Sequence, residues 1–318
     1  MDTPRPHLRS RGQVFAGVAT LVMLCTLLTS QLATPVSAAH AGTVTHDALT
    51  VDGRERTYRL YVPRSLPEGP VPLFIGFHGG GGWGDQFART NHVEALAATG
   101  GFIVVHPDGV NIPGQRGGVW NGGVCCAIAA RENVDDVGFV NALIDELALD
   151  ADIDPQRVFA FGHSNGGIMS YRLACELADR IVGIGVVAGT LGVDTCEPAR
   201  PVSVIHVHGT ADRNLPITGG VGPDSRAGVD FPPPREGFAT IAERDGCPAA
   251  EETTLGDVTT ALQAPCDAAS AAAFVTIESA AHPWPGGTAA VPPASGAVYQ
   301  DYDATAELVD FLLSHPRP

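Results

Sequence analysis

Short continuous apolar runs alternate along this chain with longer stretches in which apolar residues return every three or four positions. Val71–Phe77 (VPLFIGF), Phe102–His106, Arg157–Phe161, Ile181–Val187, Val202–Val207 and Phe274–Ile277 are the short runs. They are too brief for helices and do not alternate, so they predict strands covered on both faces. Tyr58–Val62 does alternate, and it follows a VDGRER turn that predicts an early hairpin. Phe87–Ala98, Asn133–Leu149, Ser164–Leu177, Arg235–Arg244 and Ala304–Leu313 carry the helical period. In the second of these, Val137, Val140, Ile144 and Leu147 fall on one face. Buried strands alternating with helices predict an α/β domain with a mostly parallel central sheet. Gly219–Pro234, rich in glycine and proline, reads as a surface loop rather than a boundary. Residues 39–318 are therefore expected to form a single domain.

Residues 1–38 read differently. Arg5, Arg9 and Arg11 precede an apolar run from Val14 to Leu28, and Val36-Ser37-Ala38 fits a small-residue cleavage site. The run is about 15 residues, short of the ~20 that a spanning helix needs. A cleaved signal peptide and an extracellular protein are expected. Cleavage would lower the basic residues from 19 to 16 and the acidic ones from 35 to 34, leaving a charge of −18. A chain this acidic is expected to bind neither nucleic acid nor, once cleaved, a membrane. It is expected to act as a monomer. All 19 basic residues are arginine. The lack of lysine excludes a Schiff-base lysine, a Ser-Lys dyad and a P-loop lysine together.

Six cysteines remain after cleavage: Cys125, Cys126, Cys175, Cys196, Cys247 and Cys266. An even set in an exported chain predicts up to three disulfides. Cys247 with Cys266 is the expected local pair. Cys125 and Cys126 are expected to reach separate distant partners rather than each other, and Cys175 to be tied to another segment.

The stretch FGHSNGGIMSYRLACEL (161–177) carries the chemistry. Gly162-His163-Ser164-Asn165-Gly166 is a G-x-S-x-G sequence between a buried-strand run and a helical one. A turn that tight strains its central residue, and the glycines let strand and helix approach. Ser164 is therefore the candidate nucleophile, and an ordinary helix N-cap is the bland alternative. A serine needs a base, and in this chain order an acid and then a histidine should follow. Asp212 lies in the turn after VIHVH, and His282 lies in the loop after FVTIE. Asp194, Asp224 and Asp230 are weaker acids by position, and His315 is terminal. His206 and His208 share a strand face but lack a third nearby ligand, so no metal is expected and a neutral buried histidine near the site is the favoured reading. The backbone N–H of Asn165 and a glycine of FHGGGGW, Gly80 with Gly79 as alternative, are the candidate oxyanion donors. Trp83, Trp120 and Trp284 stand beside these loops as candidate substrate-binding aromatics, with core packing the competing reading.

WNGGVCC, VDDVGFV, RVFAFGHSNGGIMSYRLACE, HVHGTADRNLPI and HPWPGG, in this order, resemble the polyhydroxybutyrate depolymerase and feruloyl esterase group of secreted esterases. The resemblance covers most of residues 39–318. It implies the α/β-hydrolase fold, hydrolysis of carboxylic esters without a cofactor, and a triad of Ser164, His282 and Asp212. The chain departs from that group at Gly80-Gly81-Gly82, where a cysteine and polar residues are common, and at Ala280-Ala281, where glycines are common. The expected substrate is a polyester oligomer, a feruloylated polysaccharide or a small ester. A peptidase, a metal hydrolase or a non-catalytic polymer-binding protein on the same fold are the alternatives.

Overall fold

The computed structural model describes residues 42–289 and 296–318. The signal-peptide reading falls on residues 1–38, outside the described residues. In chain order the elements are β1 (Thr43–Val51), β2 (Arg54–Val62), β3 (Val71–Phe77), α1 (Gly84–Asn91), α2 (Val93–Gly100), β4 (Ile103–Pro107), β5 (Val110–Asn111) and β6 (Gly118–Val119). Then come α3 (Ala127–Arg131), α4 (Asp136–Asp150), β7 (Ile153–His163), α5 (Asn165–Glu176), β8 (Gly183–Val187) and β9 (Ser203–Gly209). The last are α6 (Pro234–Arg244), β10 (Glu251–Leu255), β11 (Val258–Gln263), β12 (Ala272–Ile277) and α7 (Ala304–Ser314).

Ten strands form one sheet in the order β1-β2-β4-β3-β7-β8-β9-β12-β11-β10. The six from β4 to β12 are parallel neighbours, while β1, β2, β10 and β11 pair antiparallel at the two edges. Every residue of β3, β8 and β9 is buried. One face is covered by α4, α5 and α6, through Leu143, Met169 and Ile241. The other is covered by α1, α2 and α7, through Phe87, Ala97 and Leu308. Two apolar layers explain why the central strands read as unbroken hydrophobic runs. This is the α/β-hydrolase architecture.

Two elements depart from the sequence pattern. The expected helix over Phe87–Ala98 is two helices broken at His92, whose φ is 59°. Asn91 provides the break: its amide donates to the Phe87 carbonyl at 2.8 Å and its side-chain oxygen accepts the Val93 N–H at 2.9 Å. Such local side-chain bonds compete with the helical ladder. The β10–β11 hairpin had no apolar signature, because β10 (EETTL) is exposed throughout. The early hairpin is present, with Asp52 and Gly53 at φ 49° and 73° in its two-residue turn.

Disulfides join Cys175 to Cys196 and Cys247 to Cys266. The expectation of distant partners for Cys125 and Cys126 is corrected: the two adjacent residues are bonded to each other. The WNGGVCC turn folds tightly enough to bring both sulfurs together, with Gly122 N–H on the Cys125 carbonyl and Cys126 N–H on the Trp120 carbonyl.

Candidate active site

Ser164 is the single residue between β7 and α5, with φ 55° and ψ −120°. That conformation is costly for a residue with a side chain, on the order of 1–3 kcal/mol. Its N–H donates to the Val187 carbonyl at the end of β8, at 2.9 Å. The side chain makes no capping bond, so the N-cap reading does not describe it. The flanking glycines are required by contact. A Cβ on Gly162 would strike the Gly166 carbonyl, and one on Gly166 would strike the Phe77 carbonyl. The elbow exists because β7, β3 and α5 touch backbone to backbone there.

Asp212 follows β9 and His282 follows β12, and these two strands are parallel neighbours. Both loops therefore leave the sheet at the same end. His282 Nδ1 donates to Asp212 Oδ2 at 2.7 Å. Asp212 Oδ1 accepts the N–H groups of Asn214 and Leu215 at 2.8 and 2.9 Å. Burial alone would raise this carboxyl, but the His282 hydrogen bond and the neighbouring histidines outweigh it and hold it below the ordinary value. Asp212 is thus a fixed, ionised acceptor. Ser164 has no side-chain hydrogen bond to His282 among the described residues. Nucleophile–base contacts of this kind commonly tighten only around substrate.

Three histidines missed as site residues hold this pair. His163, the residue before the serine, donates from Nε2 to the His282 carbonyl at 2.8 Å, with the two rings 4.8 Å apart. Burial lowers its pKa to about 3, so the ring is neutral. Beneath Asp212 runs a second chain. The Tyr171 hydroxyl lies 2.8 Å from His206 Nδ1, His206 Nε2 lies 2.9 Å from His208 Nδ1, and His208 Nε2 lies 2.9 Å from the Leu215 carbonyl. His208 Nε2 is also 3.5 Å from Asp212 Oδ2. Burial lowers the pKa of both rings and raises that of the tyrosine, so all three are neutral. The carbonyl at the far end accepts only, which fixes every proton: tyrosine donates to His206, His206 to His208, and His208 to Leu215. All four ring nitrogens of the two histidines are engaged within the chain. An H-x-H spacing before the HGTAD turn was the available sequence signal for this arrangement.

Ser164, His282, Gly80, Asn165, Trp83 and Trp284 border one open cleft of about 420 Å³, with Asp212 behind His282. The N–H groups of Gly80 and Asn165 meet no protein acceptor among the described residues. A Cβ built on Gly80 would lie 3.8 Å from that of Asn165, so the two donors are adjacent. Trp120 is corrected. It is fully buried and does not border the cleft. Its indole donates to the His78 carbonyl at 3.0 Å. Its backbone N–H and carbonyl are gripped by the Asn165 side chain at 2.8 and 3.0 Å. Trp120 therefore ties the glycine loop to the elbow. Trp284 touches the cleft but is 1% exposed, its indole bonded to Thr305 Oγ1 at 2.9 Å. Trp83 alone of the three presents its ring, with Arg116 over it at 4.6 Å.

Residues 56–221 match the family described as esterase PHB depolymerase. This chain belongs to that family. The esterase is 31% identical over 292 residues to NocK of Nocardia uniformis subsp. tsuyamanensis, a protein named as an esterase, covering 85% of this chain and 83% of that one. It is 33% identical over 214 residues to feruloyl esterase C of Emericella nidulans, covering 63% and 72%. An acetyl xylan esterase from Aspergillus awamori shares the fold, with TM-score 0.56 at 14% identity, covering 75% of this chain and 94% of that one. The protein is accordingly a carboxylic ester hydrolase.

Proposed function

We propose that this esterase is exported and cleaves esters through an acyl-enzyme on Ser164. The observation that carries the reading is the 2.7 Å Asp212–His282 bond at the same sheet end as a serine forced to φ 55°. His282 Nε2 takes the Ser164 proton as Oγ attacks the ester carbonyl. The carbonyl oxygen becomes an oxyanion between the Gly80 and Asn165 N–H groups, at the positive end of α5. The intermediate collapses, the C–O bond to the leaving alcohol breaks, and His282 returns the proton to that alcohol. Water then attacks the acyl-enzyme with His282 as base, releasing the acid and restoring Ser164. Asp212 keeps the imidazole in the Nδ1–H form and stabilises its cation. No metal or organic cofactor enters these steps.

Export rests on residues 1–38 and on three disulfides, which persist in oxidising surroundings. Feruloylated polysaccharide and hydroxyalkanoate oligomers are the substrate families that the relatives and the family suggest. The test is Ser164→Ala with p-nitrophenyl butyrate and with a fluorophosphonate label. Loss of turnover by a factor of about 10⁴ or more and loss of labelling are expected. Turnover retained in the variant overturns the mechanism.

A further inference from the structure

The cleft beside Ser164 is lined by two chemically different sets of side chains. One is apolar: the Cys125–Cys126 pair, Ile168, Leu215 and Phe231, which pack as a small cluster of their own. The other set carries charge of the sign opposite to the protein's. Arg116, Asp224 and Arg226 are the arginine and carboxylate side chains on the cleft among the described residues. Asp224 is taken by Arg213, at 2.9 Å. Arg116 and Arg226 make no ion pair among the described residues. They come from separate segments, the β5–β6 connection and the loop at 219–234, and both are exposed. Arg116 is not a free tether, since its guanidinium lies over the Trp83 ring at 4.6 Å. That stacking holds the cation at the rim, and its donors stay available in the ring plane's surroundings.

This distribution runs against the composition. Acidic residues outnumber arginines 35 to 19 over the chain. A surface drawn at random from it would be negative, and its field would repel an anionic substrate. The cleft instead presents two cations without an ion-pair partner in the same cleft as the candidate nucleophile, and guanidinium groups bind carboxylates in a bidentate manner. We propose that the cleft selects esters carrying a carboxylate, with the apolar part of the substrate on the Cys125–Phe231 side and the carboxylate between Arg116 and Arg226. The inference rests on the esterase reading for turnover, but it is separable from it as a binding claim.

The experiment pairs 4-acetoxybenzoate with its neutral methyl ester, following release of the phenol. The preference is the ratio of kcat/KM for the acid to that for the methyl ester. In Arg116→Gln/Arg226→Gln that ratio is expected to fall about five- to tenfold, and in Arg226→Gln alone about threefold. In the wild type it is expected to fall several-fold between 0.05 and 0.5 M NaCl, because screening shortens from ~10 Å at 0.1 M towards ~3 Å at 1 M. Binding of 4-acetoxybenzoate to Ser164→Ala is measured beside this by calorimetry, with and without the two arginine changes. A ratio unmoved by both substitution and salt overturns the carboxylate proposal and leaves the esterase reading standing. Arginine-dependent binding to a wild type that hydrolyses neither ester overturns the esterase reading and supports this one.

Discussion

Ser164 and the Asp212–His282 pair sit at the same sheet end but are held there by different means. Ser164 is held by backbone. The carbonyls of Phe77 and Gly166 press against glycines that cannot carry a Cβ, and the Ser164 N–H is fixed to Val187. Asp212 and His282 are held by side chains and loop carbonyls, with His163 under the His282 carbonyl and the Tyr171–His206–His208 chain under Leu215 and Asp212. Steric placement is all-or-none, since a methyl group either fits or does not. Placement by hydrogen bonds is graded, since each bond can be weakened separately. The two sides should therefore fail differently when changed.

The largest effect is expected where orientation and charge act together. Asp212→Asn replaces an acceptor by a group that can donate, so His282 is no longer kept in the tautomer that accepts from Ser164. A fall in kcat of about 10⁴ is expected, with a smaller change in KM for p-nitrophenyl butyrate. The same variant has a signature in stability. The folded-state pKa of Asp212 lies below the unfolded value, so its contribution is fully present above about pH 4 and is lost as pH falls through the folded pKa. Urea titrations from pH 7 down to pH 3 should show a shallower loss in Asp212→Asn than in the wild type. A variant with wild-type kcat would separate Asp212 from the chemistry altogether.

On the steric side, Gly166→Ala is expected to cost about 3 kcal/mol of stability, because the methyl group would have to displace β3 backbone rather than a movable side chain. The midpoint of urea unfolding measures this. The Cys175–Cys196 bridge ties the same helix to the chain 21 residues on. Cys175→Ser/Cys196→Ser should lower stability by a similar ~3 kcal/mol, by releasing the unfolded chain. Its kcat below the melting temperature should remain, since neither sulfur borders the cleft. A parallel loss of kcat in that double variant would mean that the elbow depends on the tether as well as on local sterics.

What the sequence disclosed follows the same division. The elbow was legible because steric demands leave glycines at fixed positions, and Gly162 and Gly166 mark it directly. The Asp212–His282 pairing was legible by chain order and by the places of both residues after buried runs. His206 and His208 were legible as neutral buried histidines near the site, but their supporting bonds and those of His163 were not, because a histidine on a buried strand looks alike whether it fills space or relays a hydrogen bond. Only the positions of Tyr171 and Leu215, 35 residues before and 7 after their partners, distinguish these. Trp120 was misplaced for a related reason. An irregular stretch gave it no regular element to pack in, yet Asn165 and the His78 carbonyl enclose it from either side. The β10–β11 hairpin was missed because β10 is exposed throughout, and strand-reading by apolar alternation requires a covered face.

The smallest effect is the most informative about graded placement. His208→Leu removes the donor to the Leu215 carbonyl and the acceptor for His206. Both groups are left buried and unpaired, which costs about 1–3 kcal/mol each when no partner replaces the lost one. Leu215 is also one of the two backbone donors that hold Asp212 Oδ1, so its displacement is passed to the acid. A purely structural role predicts fewer folded molecules with unchanged turnover per molecule. A positioning role predicts about a tenfold lower kcat per site titrated with fluorophosphonate, KM nearly constant, and substantial recovery in His208→Gln, whose amide can both donate and accept. Those per-site values decide whether Asp212 is held by its own turn alone or also by the buried chain beneath it. If His208→Leu and His208→Gln match the wild type per active site, the turn formed by Asn214 and Leu215 is sufficient. The two sides of the site would then both be fixed by backbone.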